Sequence, residues 1–351
     1  MKKTVYTKAL SVLLALSLAA GLCACAPSGG KDERKKYTHG IWDTFDTVIS
    51  VIAYCDDDEE FAKIKTTAEE MFKKYHKMFD IYNSYEGVVN IKTVNDNAGV
   101  APVEVPEEII DLIESGKKLY EETDGNVNIA FGSVLKIWHA AREVAEHDPG
   151  RAYVPDIEQL RAAAKHCDIN DVVIDREAST VYLADPEMSL DVGAIAKGFA
   201  TDLVVEKIKS EGNGCFLITA GSSSIKAVGL KPGGSSWTSA VETDDEGNLI
   251  EISDHSITTS GIYQRYYEVD GVMYHHIINK DSLMPEHNYQ SVTLITDDCG
   301  YGDGLATAIF NMPLDEGMAF VNAHNDIYGM WVTLDGEKIY SEGYEDFIKA
   351  K

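Results

Sequence analysis

The sequence predicts an α+β (mixed α/β) domain, in which helices and strands are intermixed. Two observations favour this class. Long stretches before residue 166 place apolar side chains at helical spacing, whereas the region 172–241 contains short runs rich in β-branched residues, which are typical of strands. Because no strand–helix unit recurs at a regular interval, the pattern disfavours a doubly wound sheet and a barrel.

The first half of the chain is predicted to be mainly helical. It opens with a strand over Trp42 to Tyr54, which is rich in β-branched side chains and ends at the acidic run 56–58. An amphipathic helix follows, because apolar side chains recur at helical spacing, namely Phe61, Ile64, Ala68, Met71, Phe72, Tyr75 and Phe79. Three more helices are expected over 106–125, 132–147 and 155–165.

The second half is predicted to be mainly strands, with three helices between them. The expected strands cover 172–174, 180–183, 188–192, 216–219, 225–229, 237–241, 266–278, 291–295 and 328–334. The expected helices cover 193–209, 303–311 and 313–323.

The N-terminus has the pattern of an export signal. Three lysines among the first eight residues precede an apolar run over 9–20, which suits a secretory signal peptide. Ala24 and Cys25 then match a lipobox, so we expect lipidation of Cys25 and a position at the extracytoplasmic face of the cell membrane. Ordinary cleavage, with both thiols incidental, is the alternative. The predicted division is a lipoprotein signal peptide over 1–24, a lipidated flexible tether over 25–39 and a catalytic domain over 40–351.

The charge and the cysteines exclude several classes of function. The formal net charge is −27, and removal of the signal peptide takes away three lysines and no acids. Such a surface repels nucleic acid and anionic headgroups, so an anionic substrate needs a local pocket that is positive or holds a metal. The four remaining cysteines are widely spaced and form no CxxC pattern, which disfavours a zinc site or a disulfide scaffold; they are Cys55, Cys167, Cys215 and Cys299.

The segment 190–202 is predicted to run from a strand into a helix through a turn at Gly193. Free backbone N–H groups and the helix dipole would point at this turn, with Lys197 one turn into the helix. These are the parts of an anion-binding site. A packed strand–helix corner without a ligand is the alternative, since the segment does not match the P-loop pattern.

Two further motifs carry polar side chains. Asp303 and Thr307 lie four residues apart, so on a helix they share one face and offer the oxygen ligands that suit Mg²⁺. Alternatively, Asp303 is a helix-start residue and Thr307 a buried threonine bonded to the preceding turn. His275 and His276 are adjacent in a predicted strand, so at most one of them faces a given site, and a structural histidine is the alternative.

Together and in this order, these segments resemble the ApbE family, the FAD:protein FMN transferases. The family's Asp-Leu-Gly-Gly-Ile-Ala-Lys-Gly run is matched by Asp191–Gly198, and its Ala-Asp-Ala-Leu-Ser-Thr stretch by 302–307. Its serine-glycine stretch is matched by 259–261 and its His-Ile-Ile-Asp-Pro stretch by 276–280. Weaker matches at 45–47, Tyr82 and 125–128 extend the resemblance over nearly the whole mature chain.

The resemblance implies a single T-fold-like catalytic domain, or two lobes with FAD between them. It implies that Mg²⁺ is held by the Ala194 carbonyl, Asp303 and Thr307. It also implies a set of residues that contact FAD, which are Phe45, Tyr82, Asn126, Val127, Asn128, Asp191, Lys197 and the backbone near Ile278.

The implied reaction is attack by a Thr or Ser hydroxyl of a target flavoprotein on the FMN-side phosphorus of FAD, with release of AMP. The implied target is a flavin-carrying subunit of an Rnf-type or sodium-translocating quinone reductase complex, or an extracellular flavoprotein. His276 is our candidate for the general base, and Asp303 is its rival. A Mg²⁺-dependent FAD pyrophosphatase, a non-catalytic flavin-binding lipoprotein and an acidic solute-capture lipoprotein remain open.

Two segments depart from the family pattern. The usual Gly-Gly-Asp or Gly-Gly-Asn is replaced by the residues at 220–224, and the usual Asp-Pro-Lys-Thr-Gly turn by those at 279–283. Both departures bear on the acceptor side of the implied site, and neither touches the implied metal ligands.

Overall fold

A computed structural model describes residues 33–241 and 248–349. From residue 34 onward the described residues form one compact unit, and the predicted α+β class with a single domain is confirmed. The predicted signal peptide, Cys25 and most of the predicted tether lie outside the described residues. None of the helices in the described part of the chain combines the length and the apolar character that crossing a bilayer requires.

The described residues form fifteen strands and eight α-helices. The strands are β1 (Lys35–Thr44), β2 (Thr47–Cys55), β3 (Val103–Glu104), β4 (Val172–Asp175), β5 (Thr180–Leu183), β6 (Phe216–Ala220), β7 (Ser224–Val228), β8 (Trp237–Ala240), β9 (Leu249–Ile252), β10 (Ser256–Gly261), β11 (Tyr266–Val269), β12 (Val272–His275), β13 (Tyr289–Thr296), β14 (Tyr328–Thr333) and β15 (Lys338–Tyr340). The helices are α1 (Asp58–Met78), α2 (Ile91–Asp96), α3 (Glu107–Glu122), α4 (Gly132–His147), α5 (Ile157–Ala163), α6 (Ala196–Ser210), α7 (Cys299–Asn311) and α8 (Leu314–Asn322).

An eight-stranded antiparallel sheet organises the domain, in the order β1-β2-β6-β7-β10-β13-β14-β15. Helices α1, α6 and α7 pack on one face, where Ile49 and Val51 of β2 share a core with Phe72 of α1 and Leu305 of α7. The other face is covered by the β8–β9 hairpin and the C-terminal segment, around Trp237. The central strands therefore hold α6 and α7 side by side, and these are the helices that carry the predicted site.

The N-terminal strand differs from the prediction in two ways. β1 begins at Lys35 and pairs with β2, so residues 35–39 belong to the sheet and the predicted tether is too long. The predicted strand over 42–54 is two strands joined by a turn at Phe45 and Asp46, which both have positive φ, of 52° and 53°. The β-branched pattern continues across both strands, so it conceals the turn between them.

The segment 188–192 is not a regular strand, although its residues suit one. Its backbone pairing is limited to an isolated bridge between Ser189 and Phe131 and a 2.8 Å bond from the Asp191 N–H to the Ile129 carbonyl. Between them, the Asn95 amide donates to the Leu190 carbonyl at 2.9 Å and accepts from the Leu190 N–H at 2.7 Å. Beyond it, α6 begins at Ala196 rather than at Gly193, and α7 begins at Cys299 rather than at Asp303. The early start of α7 follows from its cap, since the Asp298 carboxylate accepts the Tyr301 N–H at 2.6 Å.

Leu283 occupies the position of the family's glycine in the turn 279–283 and keeps a backbone conformation that suits glycine. Its φ is 59°, which disfavours a leucine by about 1–2 kcal/mol, yet its side chain is buried and its carbonyl accepts the indole N–H of Trp138 at 3.0 Å. Burial of the side chain therefore offsets backbone strain.

We expect Leu283→Gly to destabilise the domain less than Leu283→Ala, by about 1 kcal/mol. Both changes lose the buried side chain, but alanine retains the strain that glycine relieves. Denaturant unfolding of the two variants measures the difference. If the alanine variant is the more stable one, as in ordinary backbone conformations, the strain is absent.

Candidate active site

The turn between 191 and 195 is built by hydrogen bonds that use up most of its backbone donors. The Val192 carbonyl accepts from the N–H groups of both Ile195 and Ala196, at 3.0 and 2.9 Å, and the Asp191 carboxylate accepts the Gly193 N–H at 2.9 Å. The expectation of free N–H groups here is therefore wrong for these three. Lys197 is the second residue of α6, although the sequence predicts a position one full turn inside the helix. Its ammonium group is the positive group that can bind an anion at this turn.

Asp303 lies at the centre of the site rather than at the start of a helix. Its Oδ2 accepts from the Gly198 N–H at 3.0 Å and from Lys197 Nζ at 3.3 Å, and its Oδ1 accepts from Ser224 Oγ at 2.9 Å. No local side chain caps the N-terminus of α6. The Asp303 carboxylate, which belongs to α7, caps it instead by accepting the Gly198 N–H. With only 5 % of its surface exposed, Asp303 joins α6, α7 and β7.

Close packing of α6 on α7 makes this contact possible. A Cβ atom at Gly198 would lie 2.2 Å from the Cys299 carbonyl oxygen, so any larger residue would push the two helices apart. Gly198 is thus required at the point where its own N–H reaches Asp303.

Thr307 lies one turn beyond Asp303 on the same face of α7, as the spacing predicts. Its hydroxyl is 3.0 Å from Ser260 Oγ on β10 and 3.4 Å from the Asp303 carbonyl oxygen. A carboxylate and a hydroxyl, with a backbone carbonyl at Ala194, are hard oxygen donors of the kind that Mg²⁺ prefers. The described residues contain no group of three or more His, Cys, Asp or Glu side chains that could hold a metal, but this donor set requires only one carboxylate.

Tyr82 presents an open aromatic ring. The residue is 52 % exposed, and its ring stacks on His139 with the centroids 4.8 Å apart and an interplanar angle of 28°. Arg142 Nη2 lies 2.7 Å from His139 Nδ1, and because arginine only donates, this nitrogen accepts and the ring is held in one orientation. The exposed face of Tyr82 is therefore a rigid platform for a flat ligand ring.

Phe45 is less open than Tyr82. Its ring makes edge contacts with Phe72 and His76, with centroids 6.5 and 5.8 Å away, and its N–H donates to His76 Nδ1 at 3.2 Å. The neighbouring Asp46 faces Arg265 at 3.7 Å. The strained turn thus anchors Phe45 beside the α1 helix.

The two adjacent histidines have different environments. His275 is buried and its Nε2 bonds the Glu286 carbonyl, which is a structural role. His276 follows the end of β12, and its Nδ1 donates to the Arg265 carbonyl at 3.2 Å, which leaves Nε2 as an acceptor. Desolvation, followed by the positive charge of Arg265, lowers the pKa of His276 to about 3. Its imidazole is therefore neutral near pH 7.

The segment 126–128 uses its side chains locally. Asn126 Nδ2 donates to the Thr123 carbonyl at 2.9 Å, Asn128 Nδ2 donates to the Cys167 carbonyl at 2.9 Å, and Val127 is buried. Ile278 is also buried, in an isolated bridge with Pro285. These predicted FAD contacts can therefore be made chiefly through the backbone.

Several residues of this region were not identified from the sequence. Ser224 and Ser260 bond the two predicted metal ligands, and His139, Arg142 and Arg265 surround Tyr82 and His276. Desolvation raises the pKa of the nearby Asp191 carboxyl, against the opposing effects of the Gly193 N–H and of Arg265. Ser224 and Ser260 fall inside the quoted motifs, so the motifs carried a signal for them, whereas His139 and Arg142 lie in a helix without a motif.

Comparisons with known proteins identify the family of this chain. The model of the ApbE family matches residues 45–331. The chain is 28% identical to the FAD:protein FMN transferase of Treponema pallidum, over 94% of this chain and 93% of that protein, and 30% identical to the one of Klebsiella pneumoniae, over 78% and 83%. The crystal structure of the ApbE protein of Thermotoga maritima superposes with a TM-score of 0.78 at 25% identity, covering 90% of this chain and 100% of that one. A variant of the flavin transferase ApbE from Vibrio cholerae superposes with a TM-score of 0.74 at 25% identity, covering 90% and 99%. The chain therefore belongs to the ApbE family.

Proposed function

We propose that this protein transfers an FMN unit from FAD to a Ser or Thr hydroxyl of a partner protein and releases AMP. The observation that carries the proposal is the convergence of Lys197, Gly198 and Ser224 on the Asp303 carboxylate, with Thr307 one turn away. This corner combines a cation with oxygen ligands, as the transfer of a charged phosphoryl group requires.

In the proposed reaction, the acceptor oxygen forms a bond to the FMN-side phosphorus, and the bond from that phosphorus to the bridging oxygen breaks. The electron pair leaves with AMP. Lys197 lies where its ammonium group can take up negative charge, and Tyr82 holds one flat ring of FAD by stacking. Mg²⁺ held by the Ala194 carbonyl, Asp303 and Thr307 would neutralise charge on the diphosphate.

His276 is the better candidate for the general base. Its Nε2 is free to accept a proton, because Nδ1 donates to the Arg265 carbonyl. Both carboxylate oxygens of Asp303 already accept hydrogen bonds, and one of them faces the Lys197 ammonium. Because donors from α6 and β7 hold both oxygens of Asp303, we assign it the role of a ligand rather than that of the base.

The experiment that tests the proposal incubates the protein with FAD, Mg²⁺ and a flavoprotein that has a Ser/Thr acceptor motif. Mass spectrometry should detect covalent FMN on the acceptor, in equal amount to the AMP released, and the adduct should be absent when EDTA replaces Mg²⁺. The acceptor with its hydroxyl residue changed to alanine is the control. Release of AMP and FMN without an adduct would instead identify an FAD pyrophosphatase. Binding of FAD with neither product would identify a non-catalytic flavin-binding protein, which the altered segments 220–224 and 279–283 would suit.

The proposed location is the extracytoplasmic face of the membrane, reached through a lipid on Cys25. We expect Cys25→Ala to move the protein from the membrane fraction to the soluble fraction, since one lipidated cysteine provides the anchor. Cell fractionation with immunodetection measures this. Cys23→Ala is the matched control and should stay with the membrane. If the Cys23 variant is the soluble one, the lipid is on Cys23 and the proposed assignment is wrong.

The proposed acceptor is a flavin-carrying subunit of an Rnf-type or sodium-translocating quinone reductase complex, or an extracellular flavoprotein.

A further inference from the structure

A stripe of polar side chains follows one side of α7 at intervals of four residues. Asp303 contacts α6 and β7, Thr307 contacts Ser260 on β10, and Asn311 contacts the carbonyl of Asn126. The interval of four keeps neighbouring members on one helix face. The stripe therefore leads from the Asp303 corner to the segment 126–128, which the family resemblance connects with FAD.

Asn311 has a buried amide that the protein satisfies only on one side. Its Nδ2 donates to the Thr307 carbonyl at 3.2 Å and to the Asn126 carbonyl at 3.4 Å, and the residue is 6 % exposed. Since both partners are acceptors, the amide cannot be turned round without placing oxygen against oxygen. Within residues 33–241 and 248–349, no donor reaches Asn311 Oδ1.

A buried oxygen without a donor destabilises a folded protein, so its presence needs a reason. The end of α7 explains the Nδ2 group, because this group binds a carbonyl of the last helical turn. It does not explain the oxygen. The contact between Asn311 and the Asn126 carbonyl, at 3.4 Å, is at the long limit for a hydrogen bond, so Asn311 itself contributes little to holding the segment 126–128, which Thr123 and Cys167 hold through shorter bonds.

We propose that Asn311 Oδ1 accepts a hydrogen bond from an N–H group on the edge of one of the two ring systems of the bound flavin dinucleotide, which makes Asn311 a specificity-determining residue. This inference rests on the proposed function. FAD offers such a donor at each end, the N3–H group of the isoalloxazine and the exocyclic amine of the adenine. The shared chemistry is an N–H at the edge of a flat heterocycle, received next to the Asn126 carbonyl in exchange for the long contact between Asn126 and Asn311.

Asn311→Leu tests the proposal, because leucine has nearly the same shape and lacks the acceptor. In the full chain with Mg²⁺, titration should show FAD binding weakened about tenfold, the value of one buried hydrogen bond. The melting temperature of the ligand-free protein should change little, because removal of the unsatisfied oxygen offsets the loss of the two Nδ2 contacts. Separate titrations with FMN and AMP identify the end: the weakened ligand carries the donor. Unchanged binding of all three ligands would overturn the inference.

A modified ligand tests the same bond without changing the protein. N3-methyl-FMN and N6,N6-dimethyl-AMP each lack one of the two donors, and we expect one of them to bind the unaltered protein about tenfold more weakly than its parent. In Asn311→Leu that difference should vanish. If both modified ligands bind as well as their parents, no ring N–H is recognised and the inference fails, even if the leucine variant does not fold.

Thr258→Val is the matched control. Thr258 Oγ1 on β10 is a second buried oxygen without a partner among the described residues, and valine removes it at nearly constant shape. This change should leave FAD binding unaltered, and an equal loss of affinity would show that Asn311→Leu acts through general loosening. The proposed function is judged separately, since it fails if the unaltered protein neither binds FAD nor modifies an acceptor.

Discussion

Replacing Asp303 with alanine should reduce FMN transfer by about a thousandfold, the size of effect seen when a key charge-stabilising group is removed from an active site. The change removes the implied Mg²⁺ ligand and leaves the Lys197 ammonium, the Gly198 N–H and the Ser224 hydroxyl without their common acceptor. The N-terminus of α6 also loses its only side-chain cap among the described residues. Mass spectrometry of the acceptor, with AMP release at increasing Mg²⁺, measures both the rate and the metal dependence.

Asp298→Ala separates this effect from a loss of stability. Asp298 caps the same helix, α7, through the Tyr301 N–H, and its removal should lower the free energy of unfolding by about 1 kcal/mol. We expect Asp298→Ala to keep the Mg²⁺ dependence of the unaltered protein when both are assayed well below their melting temperatures. A transfer rate for Asp303→Ala that still rises with Mg²⁺ to the normal level would rule out Asp303 as the metal ligand.

The common face of Asp303 and Thr307 could be predicted because helical periodicity is local and needs only the spacing of two residues. The link between Asp303 and Lys197 could not. The sequence indicated an anion site at Lys197 and a cation site at Asp303, and the two residues are 106 positions apart in the chain. Only the packing of α6 on α7, with Gly198 against Cys299, unites them in one ion pair.

Contacts that depend on the order of the strands in the sheet could not be predicted from the sequence either. Ser224 bonds Asp303 because β7 lies beside β10 under α7, an order that no local pattern encodes. The segment around Leu190 suits a strand, whereas in the structure it forms only an isolated bridge at Ser189, and the side chain of Asn95 bonds both backbone groups of Leu190. Sequence patterns describe the preference of a segment but not which group will satisfy its backbone.

The environment of His276 could be predicted only in part. Alternation along a strand correctly implied that the two adjacent histidines differ, although His276 lies just beyond β12. Its low pKa arises from desolvation and from Arg265, which the β11–β12 hairpin brings back to the histidine. A solvent-exposed histidine would be half protonated near pH 6.5, so the fold alters the chemistry that the residue type alone suggests.

Replacing His276 with glutamine should lower the rate of transfer by about a hundredfold, which is typical for loss of a general base, with little change in the affinity for FAD. Because the pKa of His276 is lowered to about 3, its imidazole stays neutral throughout pH 5 to 8, and its protonation should cause no loss of activity in that range. Single-turnover rates against pH, for the unaltered protein and for His276→Gln, measure this. The exposed His147 on α4 supplies the matched control, and His147→Gln should leave the rate unchanged.

The same pKa has a consequence for stability. The unfolded chain binds a proton at His276 below about pH 6.5, while the folded protein resists it down to about pH 3, so stability falls as the pH is lowered through this range. His276→Gln removes this contribution, and its melting temperature should fall less between pH 7 and pH 5 than that of the unaltered protein. A rate profile with an acid limb near pH 6.5 that disappears in His276→Gln would instead show a solvated imidazole. A normal rate in the glutamine variant would transfer the role of base to another group, with Asp303 the first to be tested.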